Sequence, residues 1–175
     1  QRSQPVDDGV PLLGEIGVGK TSLIRRLVLN KFEGTYKGTL GFDLYTFKLG
    51  GVGPAGDETM PLVLWDTDGN VGSNIFRHDI YMQGTSAALI VGDVTRPETI
   101  DTMLELERGF STQYPGRHVA FVVNKSDLLP DAQRAAIPDR LKETGLSVIV
   151  TSAKTGDNVE HAFRTAANAI IRRDV

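Results

Sequence analysis

The residues with the clearest chemical potential form one short stretch, residues 14–21, which reads GEIGVGKT. Its spacing matches the phosphate-binding pattern G-x-x-x-x-G-K-[ST] at every fixed position. Glycines let the backbone turn sharply and aim its N–H groups into a concave nest for anions, and a helix that begins near Lys20 adds the positive end of its dipole. The pattern therefore predicts a nucleotide phosphate site, and the alternative is a glycine-rich turn before an ordinary helix.

Two side chains of this stretch have distinct expected tasks. Lys20 would reach the β- and γ-phosphates, and Thr21 Oγ1 would bind Mg²⁺. The surroundings favour this interpretation, because Leu12 and Leu13 end an apolar segment before the loop and residues 22–29 carry apolar side chains at helical spacing. The other residues expected to contact the nucleotide here are Gly14, Gly17, Val18, Gly19 and Ser22.

The elements that must position this loop alternate between strands and helices. Strands are predicted over 10–13, 40–49, 60–65, 87–91, 119–123 and 147–150. Helices are predicted over about 20–30, 74–82, 99–114, 129–144 and 158–172, with the fourth interrupted by Pro138 and ended by Gly145. Residues 40–49 and 60–65 should form a hairpin across an exposed turn at 50–57, and residues 31–39 are predicted to be a loop.

This rhythm predicts an α/β fold of three layers, with a mainly parallel six-stranded sheet, one antiparallel edge strand and about five helices. Pro11 lacks a backbone N–H, so the first strand should be short or irregular. The 175 residues are 40% hydrophobic and 23% charged, which suits one domain over 1–175 with a loose segment at 1–8.

Composition excludes several other classes of function. The net charge is −3 and no basic run occurs, so neither nucleic acid nor an anionic membrane is an expected partner. No cysteine is present, so we expect no disulfide, thiolate metal site or C-terminal prenylation box within these 175 residues. Because no apolar run approaches the roughly 20 residues of a membrane span and no signal peptide is visible, we expect a cytoplasmic monomer without a direct membrane anchor.

Four polar clusters follow predicted strands, and the carboxyl ends of parallel strands meet at one edge of the sheet. These clusters are 14–21, 66–69, 124–127 and 151–154. Asp66 is placed like a carboxylate that holds Mg²⁺ through water, and the Gly69 N–H could donate to a γ-phosphate. Four clusters at one edge predict a binding site.

The third cluster, 124–127, indicates which base the site would take. In Asn124-Lys-Ser-Asp127 an ionised carboxylate can accept two N–H bonds from the N1 and N2 edge of guanine, where adenine offers no matching pair of donors. The alternative for Asn-x-x-Asp alone is a turn cap. Together with the phosphate loop upstream, the cluster favours guanine.

On these motifs the sequence resembles the small GTPases of the Ras superfamily, which are P-loop NTPases, over nearly its whole length and most closely the Rab and Arf-like branches. The resemblance implies that Thr39, Thr21 and Asp66 form the metal set and that Tyr36 covers the phosphates. It implies that Phe32 packs edge-on against guanine, with a core position as the alternative. The base motifs would contribute Asn124, Lys125, Asp127, Ser152, Ala153 and Lys154, with the Ala153 N–H reading guanine O6.

Three departures from the family pattern surround the expected γ-phosphate. Asn70 is one methylene shorter than the usual water-orienting glutamine. Asp68 would bring a carboxylate near phosphate and Mg²⁺ unless it turns away, and Ile16 could crowd an incoming arginine finger. Alternatively, these side chains face solvent and another residue positions the water.

The resemblance thus implies a GTP/GDP switch with catalytic residues Lys20, Thr39, Gly69 and Asn70 and switch loops near 31–40 and 66–82, and the departures predict that it hydrolyses GTP slowly. Its ligands would be Mg²⁺ and GTP or GDP. Its protein partners would be effectors, an exchange factor and an activating protein that the sequence does not identify. The alternative is a GTP-loaded scaffold with little or no GTPase activity.

Overall fold

A computed structural model describes residues 9–28, 34–37, 42–67 and 84–173 of the chain. These residues fold around one mixed sheet. The strands are β1 (Gly9–Leu13), β2 (Gly34–Lys37), β3 (Phe42–Val52), β4 (Glu58–Thr67), β5 (Ala87–Asp93), β6 (His118–Asn124) and β7 (Ser147–Val150). They lie in the order β2-β3-β4-β1-β5-β6-β7. The α-helices of these ranges are α1 (Lys20–Val28), α2 (Pro97–Gln113), α3 (Asp139–Lys142) and α4 (Val159–Arg173).

The pairing of the strands confirms the predicted α/β fold class. Neighbours from β4 through β1, β5 and β6 to β7 are parallel, and β3 pairs antiparallel with β4 as the predicted hairpin. The prediction of a loop over 31–39 is wrong for residues 34–37, which form β2 and pair antiparallel with β3. Strand β3, which runs antiparallel to both of its neighbours, is therefore not the edge strand, because β2 lies outside it. The described ranges contain seven strands. A four-residue strand between glycine-containing segments gives too little periodicity to be recognised.

Apolar residues fill both faces of the sheet. On one face, Leu23 and Ile24 of α1 and Phe163 and Ala166 of α4 pack in one cluster with β-strand residues such as Leu89. On the other face, a second cluster joins residues of α2 to the same strands and includes Ile100, Met103, Leu106 and Phe110. The seven residues of β5 are all buried, as a central parallel strand covered on both faces requires.

Pro11 distorts the first strand on one side only. Gly9 donates its N–H to Gly84 O and accepts a bond from Ser86 N–H, so the alternation of a strand turns Pro11 to the same side, toward β5. The missing N–H interrupts the β1–β5 ladder, which consists of a bridge between Gly9 and Thr85 and then the pairs Leu12–Leu89 and Leu13–Ile90. Pairing with β4 continues through Pro11. The expected irregularity is confirmed.

The predicted interruption at Pro138 is confirmed, but the α-helix predicted from residue 129 up to Pro138 is wrong. The structure has 3₁₀ turns at Ser126–Leu128 and Asp131–Gln133, and then the single α-helical turn α3. Pro130 and Pro138 stand as N-caps of the second and third pieces, with extended ψ values of 148° and 132°. Two prolines eight residues apart thus break the segment twice, because neither can donate the N–H that a helix interior needs.

Several predicted features lie outside the described residues. These are the helix over 74–82, most of the loop over 31–39, the segment 1–8 and the polar residues 68–70. None of the described helices combines the length and the apolar character needed to cross a membrane.

His118 at the start of β6 makes the stability of the fold depend on pH. Burial lowers the pKa of its imidazole, and the nearby positive charge of Arg172 lowers that pKa further. The unfolded chain therefore binds more protons than the fold below pH about 6.5, and stability is lost as pH falls through that value toward the folded pKa. We expect His118→Gln to lose less thermal stability than the parent between pH 7.5 and 5.5. The same change at the exposed His161 is the control, and equal losses for His118→Gln and parent would contradict this prediction.

Candidate functional site

The loop between β1 and α1 has the backbone conformation that its glycines permit. Gly17 and Gly19 have φ values of +83° and +105°, in the region that side chains with a Cβ rarely adopt. A Cβ on Gly19 would lie 2.3 Å from Nδ2 of Asn124, and one on Gly14 would lie 2.3 Å from the carbonyl oxygen of Val91. The loop is therefore packed directly against β5 and the end of β6, and alanine does not fit at either position.

Lys20 begins α1 and is buried, and its ammonium group reaches back across the loop. Nζ donates to Gly14 O at 2.7 Å and to Glu15 O at 2.9 Å. The helix proper starts where Leu23 N–H donates to Gly19 O, and its first turn contains no acidic residue. The positive end of the helix dipole and the ammonium group thus both lie at the loop, without a carboxylate of that turn to offset them.

The hydroxyl and carboxylate that the sequence predicts as metal ligands are in contact. Thr21 Oγ1 donates to Asp66 Oδ2 at 2.5 Å, and Asp66 is 8% exposed near the end of β4. Burial raises the pKa of Asp66, while the Thr21 hydrogen bond and the charge of Lys20 act against that rise. Asp43, opposite Asp66 in the β3–β4 register, adds negative charge.

This donor set fits Mg²⁺, which takes oxygen ligands and binds through one or two protein groups plus waters and substrate phosphates. Within the described ranges no group of three or more His, Asp or Glu side chains gathers as a metal site. A metal at Asp66 would therefore depend on oxygens from outside this set, as a nucleotide phosphate supplies.

Asn124, the last residue of β6, connects three separate segments and is buried. Its Nδ2 donates to Val18 O at 2.9 Å, so it holds the phosphate loop. Its Oδ1 accepts bonds from Thr151 Oγ1 at 3.0 Å and from Ala153 N–H at 3.1 Å. One amide therefore fixes the loop after β1 and the segment after β7 relative to each other.

Lys125 forms a second connection to the phosphate loop. It has a left-handed φ of 71°, and its Nζ donates to Gly17 O at 2.6 Å and pairs with Asp93 Oδ2 at 3.1 Å. Asp93 also accepts from the backbone N–H and hydroxyl of Thr95, at 2.8 and 2.6 Å. Burial alone would raise the pKa of Asp93, but the bonds from Thr95 and Lys125 outweigh burial and lower it. Asp93 is thus an ionised carboxylate that holds the ammonium group of Lys125 in place.

Asp127 and Ser152 lie together beyond the ends of β6 and β7. Ser152 Oγ donates to Asp127 Oδ1 at 2.7 Å, and Ser152 is buried while Asp127 is half-buried. Thr155 N–H donates in turn to Ser152 Oγ at 3.1 Å, which orients the hydroxyl. Lys154 is exposed, and its carbonyl accepts a bond from Arg26.

The structure thus brings together the predicted phosphate-loop residues, Asp66 and the two base clusters. Val18 is buried in the core, and Ser22 is exposed on α1. Tyr36 lies in β2 opposite Leu44. The other predicted residues, Phe32, Thr39, Gly69 and Asn70, fall outside the described residues, and so does Asp68.

Sequence reasoning missed two residues that contact this site. Asp93 carried a signal, since it is a carboxylate at the end of an apolar strand, like the four clusters that were recognised. Arg96 carried none, because its partners lie about 80 positions earlier in the chain. Its Nη1 donates to Ile16 O at 3.0 Å, and its Nη2 lies 3.5 Å from Glu15 Oε2.

Comparison with known proteins agrees with this arrangement. Residues 10–172 match the family model described as the Ras family. The Ras-related protein RABF2b of Arabidopsis thaliana is 33% identical over 165 residues, which cover 92% of this chain and 80% of that protein. The resemblance read from the motifs is confirmed. The chain therefore belongs to the Ras family and is a Rab-like, GTP-binding small GTPase.

Proposed function

We propose that the carboxyl edge of this sheet binds GTP and GDP with Mg²⁺ and that GTP is hydrolysed there slowly. The observation that carries the proposal is the bonding of Asn124, whose amide joins Val18 O of the phosphate loop to Ala153 N–H of the last base cluster. A ligand that spans the predicted phosphate and base clusters would contain both phosphates and a base. A guanine nucleotide has that composition.

The phosphate end of the ligand would lie on residues 14–22. Lys20 donates to two loop carbonyls at 2.7 and 2.9 Å, and its buried ammonium group would provide a charge-assisted bond to β- and γ-phosphate oxygens. The N–H groups of the loop and the start of α1 would receive the remaining phosphate oxygens.

The metal would be held by Thr21 and Asp66, joined by Thr39 in the GTP-bound form. Bound Mg²⁺ neutralises charge on the phosphate oxygens. Within the protein, Thr21 keeps the Asp66 carboxylate oriented through the 2.5 Å hydrogen bond.

The base end of the ligand would lie between residues 124–127 and 152–154. Asp127 Oδ1 already accepts the Ser152 hydroxyl, and a carboxylate has about four lone-pair sites, so it retains the capacity to accept guanine N1–H and N2–H. Ala153 N–H now donates to Asn124 Oδ1 at 3.1 Å, and it would have to share that bond to reach guanine O6. Phe32 and Tyr36 would cover base and phosphates.

The proposed slow rate rests on the residues after Asp66. Asn70 is one methylene shorter than the glutamine that orients water in relatives, and Asp68 would add negative charge near the γ-phosphate. Ile16 is 57% exposed on the phosphate loop, where its side chain would crowd an arginine from an activating protein. The segments that would change between the GTP-bound and GDP-bound forms are the switch loops, near residues 31–40 and 66–82. Asn70 and Asp68 also favour a second candidate function, a GTP-loaded scaffold for protein partners.

Single-turnover phosphate release from preloaded GTP at saturating Mg²⁺ separates these functions. We expect the parent to hydrolyse GTP at or below about 10⁻⁴ s⁻¹. Asn70→Gln should raise this rate by roughly tenfold, which corresponds to about 1.4 kcal/mol of barrier. Adding Asp68→Ala should raise it further, because a repulsive charge is removed.

The control is Asp57→Ala, which removes an exposed carboxylate from the turn between β3 and β4. A parent that turns over faster than both Asn70 variants would contradict the proposed cause of slow hydrolysis. A parent with no release over many hours, unchanged by Asn70→Gln, would favour the scaffold.

A further inference from the structure

Five successive carbonyl groups of the phosphate loop, those of residues 14–18, each accept a hydrogen bond from a side chain. The donors are Lys20 to the carbonyls of Gly14 and Glu15, Arg96 to that of Ile16, Lys125 to that of Gly17 and Asn124 to that of Val18, at distances of 2.6–3.0 Å. The following carbonyl, of Gly19, accepts the first bond of α1. Three of the four donor residues belong to the sequence motifs, and Arg96 does not.

Fixing a carbonyl also fixes the N–H beside it. In a trans peptide the C=O of one residue and the N–H of the next point in opposite directions across one plane, and the described part of the chain contains no cis peptide. The bond from Arg96 to Ile16 O therefore sets the direction of the Gly17 N–H, which points away from Arg96. This step rests on the nucleotide site proposed above: with a nucleotide in that site, the Gly17 N–H points toward the bound phosphates.

We propose that Arg96 is a positioning residue for the phosphate nest, and that it aims the Gly17 N–H at the phosphates of the nucleotide beyond the α-phosphate. The arginine acts through the backbone of Ile16 and does not itself contact the ligand.

The surroundings of Arg96 hold its guanidinium in place. Nη2 lies 3.5 Å from Glu15 Oε2, and Nε lies 3.3 Å from Glu98 Oε2. Thr102 Oγ1 donates to Glu15 Oε1 at 3.0 Å, so α2 orients the carboxylate that faces the arginine. A planar guanidinium can make these contacts and the bond to Ile16 O at the same time, and a lysine ammonium cannot match that geometry.

The backbone of Arg96 is also held in place by its neighbours in the chain. It is the N-cap residue of α2, its N–H donates to Asp93 O, and Asp93 in turn pairs with Lys125. The short segment from the last residue of β5 to Arg96 therefore supports the carbonyls of both Ile16 and Gly17. The Arg96 and Glu15 side chains are 38% and 32% exposed, so solvent screens their ion pair, and the role proposed for Arg96 rests on the direction that its bond to Ile16 O gives the peptide.

The test measures GDP and GMP affinity, with Mg²⁺, for the parent, Arg96→Ala, Arg96→Lys and Arg140→Ala, and ADP affinity for the parent. GMP lacks the β-phosphate that the loop surrounds, so it reports the base and α-phosphate contacts alone. Arg96→Ala should weaken GDP binding by roughly tenfold, the effect of one lost hydrogen bond that orients a donor, and should change GMP binding by less than about twofold. Arg96→Lys should fall between Arg96→Ala and the parent, because its ammonium can still donate to Ile16 O.

Arg140→Ala is the matched control, since Arg140 pairs with Asp101 on α2 at the surface and does not contact the phosphate loop. It should bind both nucleotides as the parent does. Equal GDP affinity for Arg96→Ala and parent would overturn the inference, and so would equal losses for GDP and GMP, which indicate a general structural role. Failure of the parent to prefer GDP over ADP would instead overturn the proposed nucleotide site, and with it the role of Arg96. If Arg96→Ala does not fold, the ratio of GDP to GMP loss in Arg96→Lys decides.

Discussion

Replacing Gly19 with alanine should weaken GDP binding by about 100-fold, which corresponds to about 2.8 kcal/mol. The added Cβ would lie 2.3 Å from Asn124 Nδ2, far inside contact distance, and φ at this position is +105°. Either the loop or the amide of Asn124 must move. Because that amide also holds Val18, Thr151 and Ala153, the displacement reaches the phosphate and base clusters together.

Gly116→Ala is the matched control for this change. Gly116 lies in the turn between α2 and β6 with φ of +83°, and a Cβ there would have no heavy atom within 4 Å. It carries the backbone cost of alanine without the clash, so its GDP affinity should equal that of the parent. Equilibrium titration with a fluorescent GDP analogue measures both variants. GDP affinity within about threefold of the parent for Gly19→Ala would contradict the described packing of loop against Asn124.

Asp127→Asn should exchange one base for another. The parent carboxylate would accept N–H bonds from guanine N1 and N2, whereas an amide offers one acceptor and one donor. Xanthine has a carbonyl in place of the N2 amine, so the amide suits xanthine. We expect GDP affinity to fall by roughly 10³-fold or more, as sites built to hydrogen-bond a ligand N–H reject a mismatched partner, and xanthosine diphosphate affinity to rise above that of the parent.

The fold should tolerate this substitution, because the amide oxygen of an asparagine can still accept the Ser152 hydroxyl. Asp131→Asn is the control: Asp131 is exposed, pairs with Arg134 at 2.6 Å and undergoes the same chemical change four residues away. Competition titrations with guanine and xanthine diphosphates compare the two variants. An Asp127→Asn protein that keeps parental GDP affinity would show that guanine is not read by this carboxylate.

The motif residues could be placed from sequence because the fold follows a simple rule. The loop at 14–21, Asp66, residues 124–127 and residues 151–154 each lie at or just after the carboxyl end of a parallel strand, and parallel strands end at one edge. The distances between these clusters then follow from the spacing of the strands. The hydrogen bonds that Asn124 makes to Val18 and Thr151 agree with the motifs, which predict that these clusters form one site.

The features that escaped prediction depend on contacts between distant parts of the chain. Arg96 reaches Ile16 across 80 positions, and no local pattern reports such a bond. Strand β2 is defined by its pairing with β3 rather than by its own four residues. In the segment 129–144 the break at Pro138 was predicted, but the residues between Pro130 and Pro138 contain a 3₁₀ turn rather than the expected helix, because Pro130 cannot donate a helical N–H.

The central claim is that this sheet edge binds guanine nucleotides, and the most direct measurement is competition for it. Labelled GDP bound to the unmodified protein with Mg²⁺ is displaced by unlabelled GDP, GTP, ADP and ATP in separate titrations. The proposed contacts of Asp127 and Ala153 predict that GDP and GTP displace the label at concentrations at least about 10³-fold lower than ADP and ATP. Displacement by ATP at the same concentration as GTP would contradict the claim.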